Sequence, residues 1–292
     1  MTLPKHAFKV TRRVAFGALA VLAASGLGAL TTGSPAVAQQ KELLLVGTSL
    51  TLAPFSFINE KGENVGYELD ILKEIGARKN LNVQFVRVPF TQNYTSLNAG
   101  VFRVSASSAF ITCERLKNPT GVGEFTVPTY SAGQAIATLK KNAESIKSPA
   151  DFAGRKVGIE SIGTTADRVA NELLKTIKFE KVVFPDNPTL FLALEQGRVE
   201  AVMQGEFSAA WQMRGNSNVV ISGRLTDTYV PVGFIFRQGD PLRLEFNKTI
   251  DDMKTDGTMA KIYRQWFDTD PPADSPAAKV EPAATLASRG CV

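Results

Sequence analysis

Between residues 41 and 268, short apolar runs alternate with stretches whose apolar positions recur at helical spacing. Residues 43–47 (Leu-Leu-Leu-Val-Gly) form an unbroken apolar run, as expected of a strand buried on both faces. Residues 57–66 read as a small hairpin turning at Lys61-Gly62. Over 68–78, Leu69, Leu72, Ile75 and Gly76 fall at helical spacing, and 83–88 returns to a β-branched and aromatic strand. Strand, helix, strand in that order predicts a parallel sheet.

The second half repeats the alternation. Residues 156–159 read as a strand, and Thr164 and Asp167 have the spacing of a capping box at the start of a helix carrying Val169, Leu173 and Ile177. Asn187-Pro188 is expected to cap a helix with Leu190, Leu192 and Leu194, proline standing where its missing N–H costs nothing. Strands are expected at 199–203 and 230–236, and a long helical region over 241–267, broken at Asp256-Gly257-Thr258. No fixed period, Walker loop, dinucleotide glycine fingerprint or Cys-x-x-Cys occurs after the N-terminal stretch.

The two ends read differently. Lys5, Lys9, Arg12 and Arg13 precede an apolar, small-residue-rich stretch over 14–30, and Ala36-Val37-Ala38 offers a cleavage site. That order predicts a signal peptide over 1–38, cleaved after Ala38, and a periplasmic mature protein. Thr11-Arg12-Arg13-Val14-Ala15-Phe16 hints at twin-arginine export, but Phe16 falls one place late, which favours the Sec route. Residues 269–292 are rich in Pro and Ala, which predicts a disordered tail. Cys113 and Cys291, one mid-chain and one in that tail, are expected to be free thiols.

Charge follows the same division. The whole chain has 33 Lys and Arg against 28 Asp and Glu, net +5, but the first 38 residues hold four bases and no acid, which leaves +1 for the rest. The single histidine, His6, lies in that stretch, so the remainder can form no Ser-His or Cys-His pair and no histidine metal site. A near-neutral body without a basic tract argues against a nucleic-acid partner. The expected partner is a small molecule or another protein, with no cofactor and a monomeric state.

Seven stretches, in this order, resemble the polar amino-acid-binding family of ABC-importer solute-binding proteins (solute-binding protein family 3). They are Val46-Gly47-Thr48, Pro54-Phe55-Ser56-Phe57, Gly66-Tyr67-Glu68-Leu69-Asp70-Ile71, Ile111-Thr112-Cys113-Glu114-Arg115, Gly163-Thr164-Thr165, residues 197–202 (Gly-Arg-Val-Glu-Ala-Val), and residues 253–258 followed by 262–267. The resemblance implies an α/β, two-lobed periplasmic-binding-protein fold of type II, each lobe a parallel-dominated sheet flanked by helices, joined by two hinge strands. On that reading lobe 1 is 39–135 with 236–268, lobe 2 is 136–235, and the hinges lie near 134–138 and 232–236.

The same resemblance implies a ligand site. Thr112-x-x-Arg115 aligns with the family's carboxylate clamp, suited to a guanidinium that can bind both oxygens of a carboxylate. Thr164 and Thr165 can cap a helix and also present backbone N–H groups to the same anion. Phe90 matches an aromatic cleft wall, Ser107 and Ser108 match polar strand-end contacts, and Phe55 and Phe57 read as core. Four departures stand out: Gly205 replaces the acid that pairs with a ligand ammonium, Leu52 replaces an aromatic lid, Phe110 replaces a small hydroxyl residue, and Arg103 replaces an Asp. Either Glu206 or Glu160 substitutes for the missing acid, or the ligand lacks an α-amino group. A protein that captures a carboxylate-bearing molecule and delivers it to an inner-membrane ABC permease is expected. The alternatives are a cyclohexadienyl dehydratase-like enzyme, with Glu206 or Glu160 as acid, and a sensor or accessory binding protein without its own importer.

Overall fold

The structure, a computed structural model, describes residues 41–281. The expected leader and residues 282–292 of the tail lie outside the described residues. The chain opens with β1 (Glu42–Thr48), a small antiparallel ribbon of β2 (Thr51–Leu52), β3 (Ser56–Ile58) and β4 (Asn64–Val65), and helix α1 (Tyr67–Arg78). Next come β5 (Leu81–Arg87), α2 (Asn93–Asn98), β6 (Val104–Ser105), α3 (Cys113–Leu116), α4 (Pro119–Val122) and β7 (Glu124–Phe125). The second lobe holds β8 (Tyr130–Leu139), β9 (Lys156–Glu160), α5 (Thr165–Leu173), β10 (Glu180–Phe184), α6 (Asn187–Glu195), β11 (Ala201–Gly205), α7 (Glu206–Gly215) and β12 (Val219–Val232). The chain then returns to the first lobe for β13 (Ile235–Phe236), α8 (Leu242–Thr255) and α9 (Thr258–Phe267).

Two five-stranded sheets result, ordered β5-β1-β6-β13-β7 and β10-β9-β11-β8-β12. In each, only the strand that follows a crossing, β13 or β8, runs against the other four. The two lobes therefore share one topology, and the carboxyl ends of their parallel strands deliver the residues that face the cleft, the usual place for a ligand in an open α/β sheet. Both faces of each sheet are covered. In the first lobe Leu44, Val46, Ile71, Ile75, Phe246 and Ile250 form one core and Leu97, Phe102, Phe125 and Ile235 the other. In the second lobe Leu190, Phe191 and Val202 pack on one face, and Phe152, Val157 and Ile159 on the opposite one.

Several expectations change in detail. Strand pairing along the whole of β8 with β12, from Tyr130↔Val232 to Val219↔Leu139, puts residues 134–138 inside the second sheet. The crossings are residues 126–129 and 233–234, so the first lies upstream of the expected hinge. Asp186, not Asn187, caps α6 by accepting the Thr189 N–H, while Leu192 is 49% exposed because residues two apart on a helix cannot share a face with Leu190. Residues 269–281 do not behave as a free tail: Ala277 is buried within the first-lobe core and Glu281 is buried beside it. A small side chain suffices where the receiving surface is already apolar. Cys113 is disulfide-bonded rather than free, and Cys291 lies outside the described residues.

The start of α1 ties the ribbon to the cleft. The Tyr67 and Glu68 N–H groups, which have no partner within the helix, donate to the Pro54 and Phe55 carbonyls at 2.9 and 3.1 Å. This close approach requires Gly66, at φ 140°, where a Cβ would stand 2.1 Å from the Phe55 oxygen. Gly66→Ala should therefore destabilise the fold by about 1–3 kcal/mol in urea denaturation. Glu68 is itself buried, and its Oε2 accepts the Ser108 N–H at 3.2 Å. Burial raises its pKa from 4.5 to about 7 against the opposing pull of Ser108.

A group whose folded pKa is raised holds its proton in the native state after the unfolded chain has lost it, so its contribution is full below pH 4.5 and is lost as pH rises through about 7. Asp256, held at about 2 mainly by Arg78, titrates below this window. The melting temperature should fall between pH 5 and pH 8, and Glu68→Gln should reduce that slope, the remainder belonging to Glu160, whose pKa burial also raises to about 7. An equal slope in the variant would place the titrating group elsewhere.

Candidate functional site

The carboxyl ends of β1, β6, β9 and β11 converge on one cavity between the lobes. Its wall includes Ser49 after β1, Ser107 and Ser108 after β6, Glu160 at the end of β9, and Gln204 and Gly205 at the end of β11. Its empty volume, counted out to the open mouth, is about 670 Å³. Phe90, Phe110, Arg115, Thr164 and Thr165 line the same space. Eight of the nine expected site residues are thus brought together, and Glu206 is the exception.

Arg115 sits on α3, whose cap Thr112 accepts the Arg115 N–H. The side chain is buried, and burying a guanidinium requires hydrogen-bond partners. Nη1 donates to the Phe110 carbonyl at 2.8 Å in the first lobe and Nη2 to the Gly163 carbonyl at 3.0 Å in the second. Two of its five N–H donors are used in these bonds. The ring of Tyr94 lies 5.8 Å from its centre, and Tyr94 in turn meets Phe90 edge-on at 6.0 Å.

Beside Arg115, joined to it through the Gly163 carbonyl, stands the N-terminus of α5. The Thr164 hydroxyl accepts the Asp167 N–H at 3.1 Å and donates to carbonyls of Glu160 and Ser161, so its oxygen is engaged in capping. The reciprocal half of the expected capping box shifts by one residue: Asp167 Oδ2 accepts the N–H of Gly163 at 2.9 Å, while its Oδ1 takes Lys181 Nζ at 2.7 Å. What this helix end can offer an anion is its first-turn N–H groups, on Thr165 and Ala166, both of which line the cavity.

Much of the remaining wall is apolar, with Gln134 and Ser208 as polar exceptions. Leu52, Phe55, Phe110, Tyr130 and Phe207 line it, with Phe55 stacked on Tyr130 at 4.7 Å and 14°. Phe55 was expected in the core and is both, 4% exposed yet lining the cavity, whereas Phe57 packs outside it between Trp211 and Trp266. Ser107 bonds Ser105 at 3.1 Å, and Ser108 adopts φ 49° with its N–H held by Glu68. Arg103 has no part in the site, because it forms a two-pronged pair with Asp240 at 2.9 and 2.9 Å.

The two candidate acids separate clearly. Glu206 turns to the Gly133 N–H at 3.4 Å and faces Arg224 at 3.5 Å, lining an adjoining crevice with Trp211 and Trp266. Glu160 lines the cavity at 8% exposure, and Gln204 Nε2 donates to it at 2.8 Å. Burial raises its pKa to about 7; the Gln204 hydrogen bond opposes that shift and the Asp186 charge adds to it. Sequence reasoning missed Ser49, Tyr130, Gln134, Gln204 and Phe207. Gln204 and Phe207 flank the Gly205-Glu206 pair it had already singled out, and their proximity was the available signal.

Residues 44–269 match the profile of the bacterial extracellular solute-binding proteins, family 3. A probable amino-acid ABC transporter-binding protein of Haemophilus influenzae is 30% identical over 238 residues, 80% of this chain and 87% of that protein. The histidine-binding periplasmic protein of Salmonella typhimurium is 28% identical over 83% of this chain and 94% of its own length. Among solved structures, an ancestral arginine-binding protein bound to arginine superposes with a TM-score of 0.72 at 32% identity, covering 78% of this chain and 99% of that one. With a two-lobed fold, a cleft at its strand ends and a profile match across nearly all of its described residues, the chain belongs to the bacterial extracellular solute-binding proteins of family 3.

Proposed function

We propose that this protein works outside the cytoplasm, in the periplasm after removal of residues 1–38, as a monomer that captures a carboxylate-bearing small molecule and passes it to an ABC permease. The observation that carries this reading is Arg115, a buried cation lining the interlobe cavity, with the α5 N-terminus on the same wall. Fork and helix end together suit the two oxygens of one carboxylate. Ser107 and Ser108 would add polar contacts at the strand ends, and Phe90 and Phe110 would enclose the ligand's body. Leu52, Phe55 and Phe207 favour a body more apolar than that of a polar amino acid. Capture would proceed by closing the lobes about residues 126–129 and 233–234, which removes the ligand from water and strengthens every polar contact.

Calorimetry against amino acids and simple organic acids checks the ligand class. Arg115→Ala should abolish measurable binding while the far-ultraviolet circular dichroism spectrum is kept; losing charge-assisted hydrogen bonds worth about 1.5–3 kcal/mol each accounts for the effect. Undiminished affinity in that variant would remove the clamp assignment.

The cleft is read as a binding site without chemistry, although a carboxyl protonated near neutrality, Glu160, is the kind of group that could protonate a leaving hydroxyl. Incubation with prephenate or arogenate should yield no aromatic product. Its appearance, and its loss in Glu160→Gln, would instead make this protein a dehydratase.

A further inference from the structure

Gly205 leaves a gap in the cavity wall. A Cβ placed there would meet nothing within 4 Å, so the space that an acidic side chain would fill stays open to the cavity. The register of β9 and β11, with Met203 beside Ile159, brings the next pair on, Gln204 and Glu160, together at the edge of that gap. Gln204 is held on every side. Its Nε2 donates to Glu160 Oε2 and to Asn187 Oδ1, both at 2.8 Å, and its Oε1 accepts the Gly205 N–H at 2.7 Å. The last bond fixes which end of the amide faces Glu160, so the amide presents a donor, never an acceptor, to the carboxyl. Glu160 is therefore a cavity-lining acid whose orientation is set from the strand that carries the vacant position.

Resting on the reading of the cleft as a carboxylate-capture site, we propose that Glu160 pairs with the α-ammonium of an amino-acid ligand and that this capture expels the Glu160 proton to solvent. The balance is simple. A neutral Glu160 carboxyl and an ammonium-bearing ligand become a carboxylate–ammonium pair, and one proton passes to the buffer. The free carboxyl, at about 7, is partly protonated at neutral pH, and an ammonium enclosed beside it lowers that value because opposite charges in a water-poor site favour the ionised form. The charged groups on the surrounding elements are few. Asp186, at the start of α6, favours the protonated form. Asp167 on α5 is paired with Lys181 of β10. Arg115 lines the same cavity and is assigned to the ligand carboxylate. Gln204 is a positioning residue, since it holds the carboxyl and favours its ionised form without touching the ligand ammonium in this scheme.

The test is calorimetry with L-arginine, L-glutamine and L-leucine and their des-amino acids, run in phosphate and in Tris, whose heats of ionisation differ. For an amino acid that binds, about half a proton should be released at pH 7 and almost none at pH 9, with affinity tightening about tenfold per pH unit between pH 5.5 and 6.5 and levelling off above 8. Glu160→Gln should bind with no proton release and no such pH dependence. Gln204→Leu should move the profile to higher pH, a shift that a purely structural role would not produce. Amino-acid binding without proton release, or a pH profile unchanged by Glu160→Gln, overturns the proposal. Des-amino acids binding as tightly as their parents would also overturn it, leaving carboxylate capture intact. If no carboxylate binds at all, both readings fall.

Discussion

A guanidinium buried between two lobes must find acceptors on both or carry a heavy desolvation cost. Arg115 meets that requirement with main-chain carbonyls, Phe110 on one side of the cleft and Gly163 on the other. Neither carbonyl can neutralise a positive charge. The site therefore retains a net attraction for an anion while its geometry is held by the backbone, and the lobes that supply the carbonyls are placed by their sheets. Because Gly163 immediately precedes the cap of α5, the contact that seats the arginine also brings a helix N-terminus to the same cavity.

The rest of the architecture serves that seam. Both sheets point the carboxyl ends of their parallel strands into the cleft, and the two crossings run side by side, with Thr126 and Phe234 exchanging hydrogen bonds through the Phe234 carbonyl and the Thr126 hydroxyl. From the cavity wall outward, the lobes also meet through aromatic side chains: Phe207 lies 4.6 Å from Phe267 and Trp211 6.0 Å from Trp266, with Arg214 paired to Asp268 at 2.6 Å. These contacts are specific to the arrangement described, since they join helices α7 and α9 that belong to different lobes. Aromatic pairs of this geometry add about 0.5–1.5 kcal/mol each beyond the area they bury. That is enough to bias an equilibrium between two lobe positions without fixing it.

Electrostatics divides the cavity into two ends. Arg115 and the α5 N-terminus make one end positive. At the strand ends, Glu160 and Gln204 carry an acid whose charge state is balanced near neutrality by opposing influences, burial against a hydrogen bond. Glu68 repeats the arrangement deeper in the first lobe, where a buried carboxyl fixes the Ser108 backbone behind the cavity wall. Two acids with similar physical histories therefore have different consequences, because Glu160 opens onto the cavity and Glu68 does not line it.

Local patterning was enough for the alternation of strands and helices and the helix cap at Thr164, and a family resemblance carried by ordered short motifs gathered Arg115, Thr165, Phe90 and the two serines at one cavity. It failed where the deciding contact comes from a distant part of the chain. Residues 134–138 lie within a sheet rather than at a hinge because β12 pairs with them, which nothing local reveals, and 269–281 is held because a distant apolar surface buries Ala277, which its own composition does not show. The choice between Glu160 and Glu206 was of the same kind. Both lie near a strand end in sequence, and only the register of β9 against β11 and the pull of Arg224 and Gly133 turn one into the cavity and the other away. Spacing along the chain determines which residues can share an element. Which of two acids loses its water to a cleft depends on strand pairing, and that is a property of the folded whole.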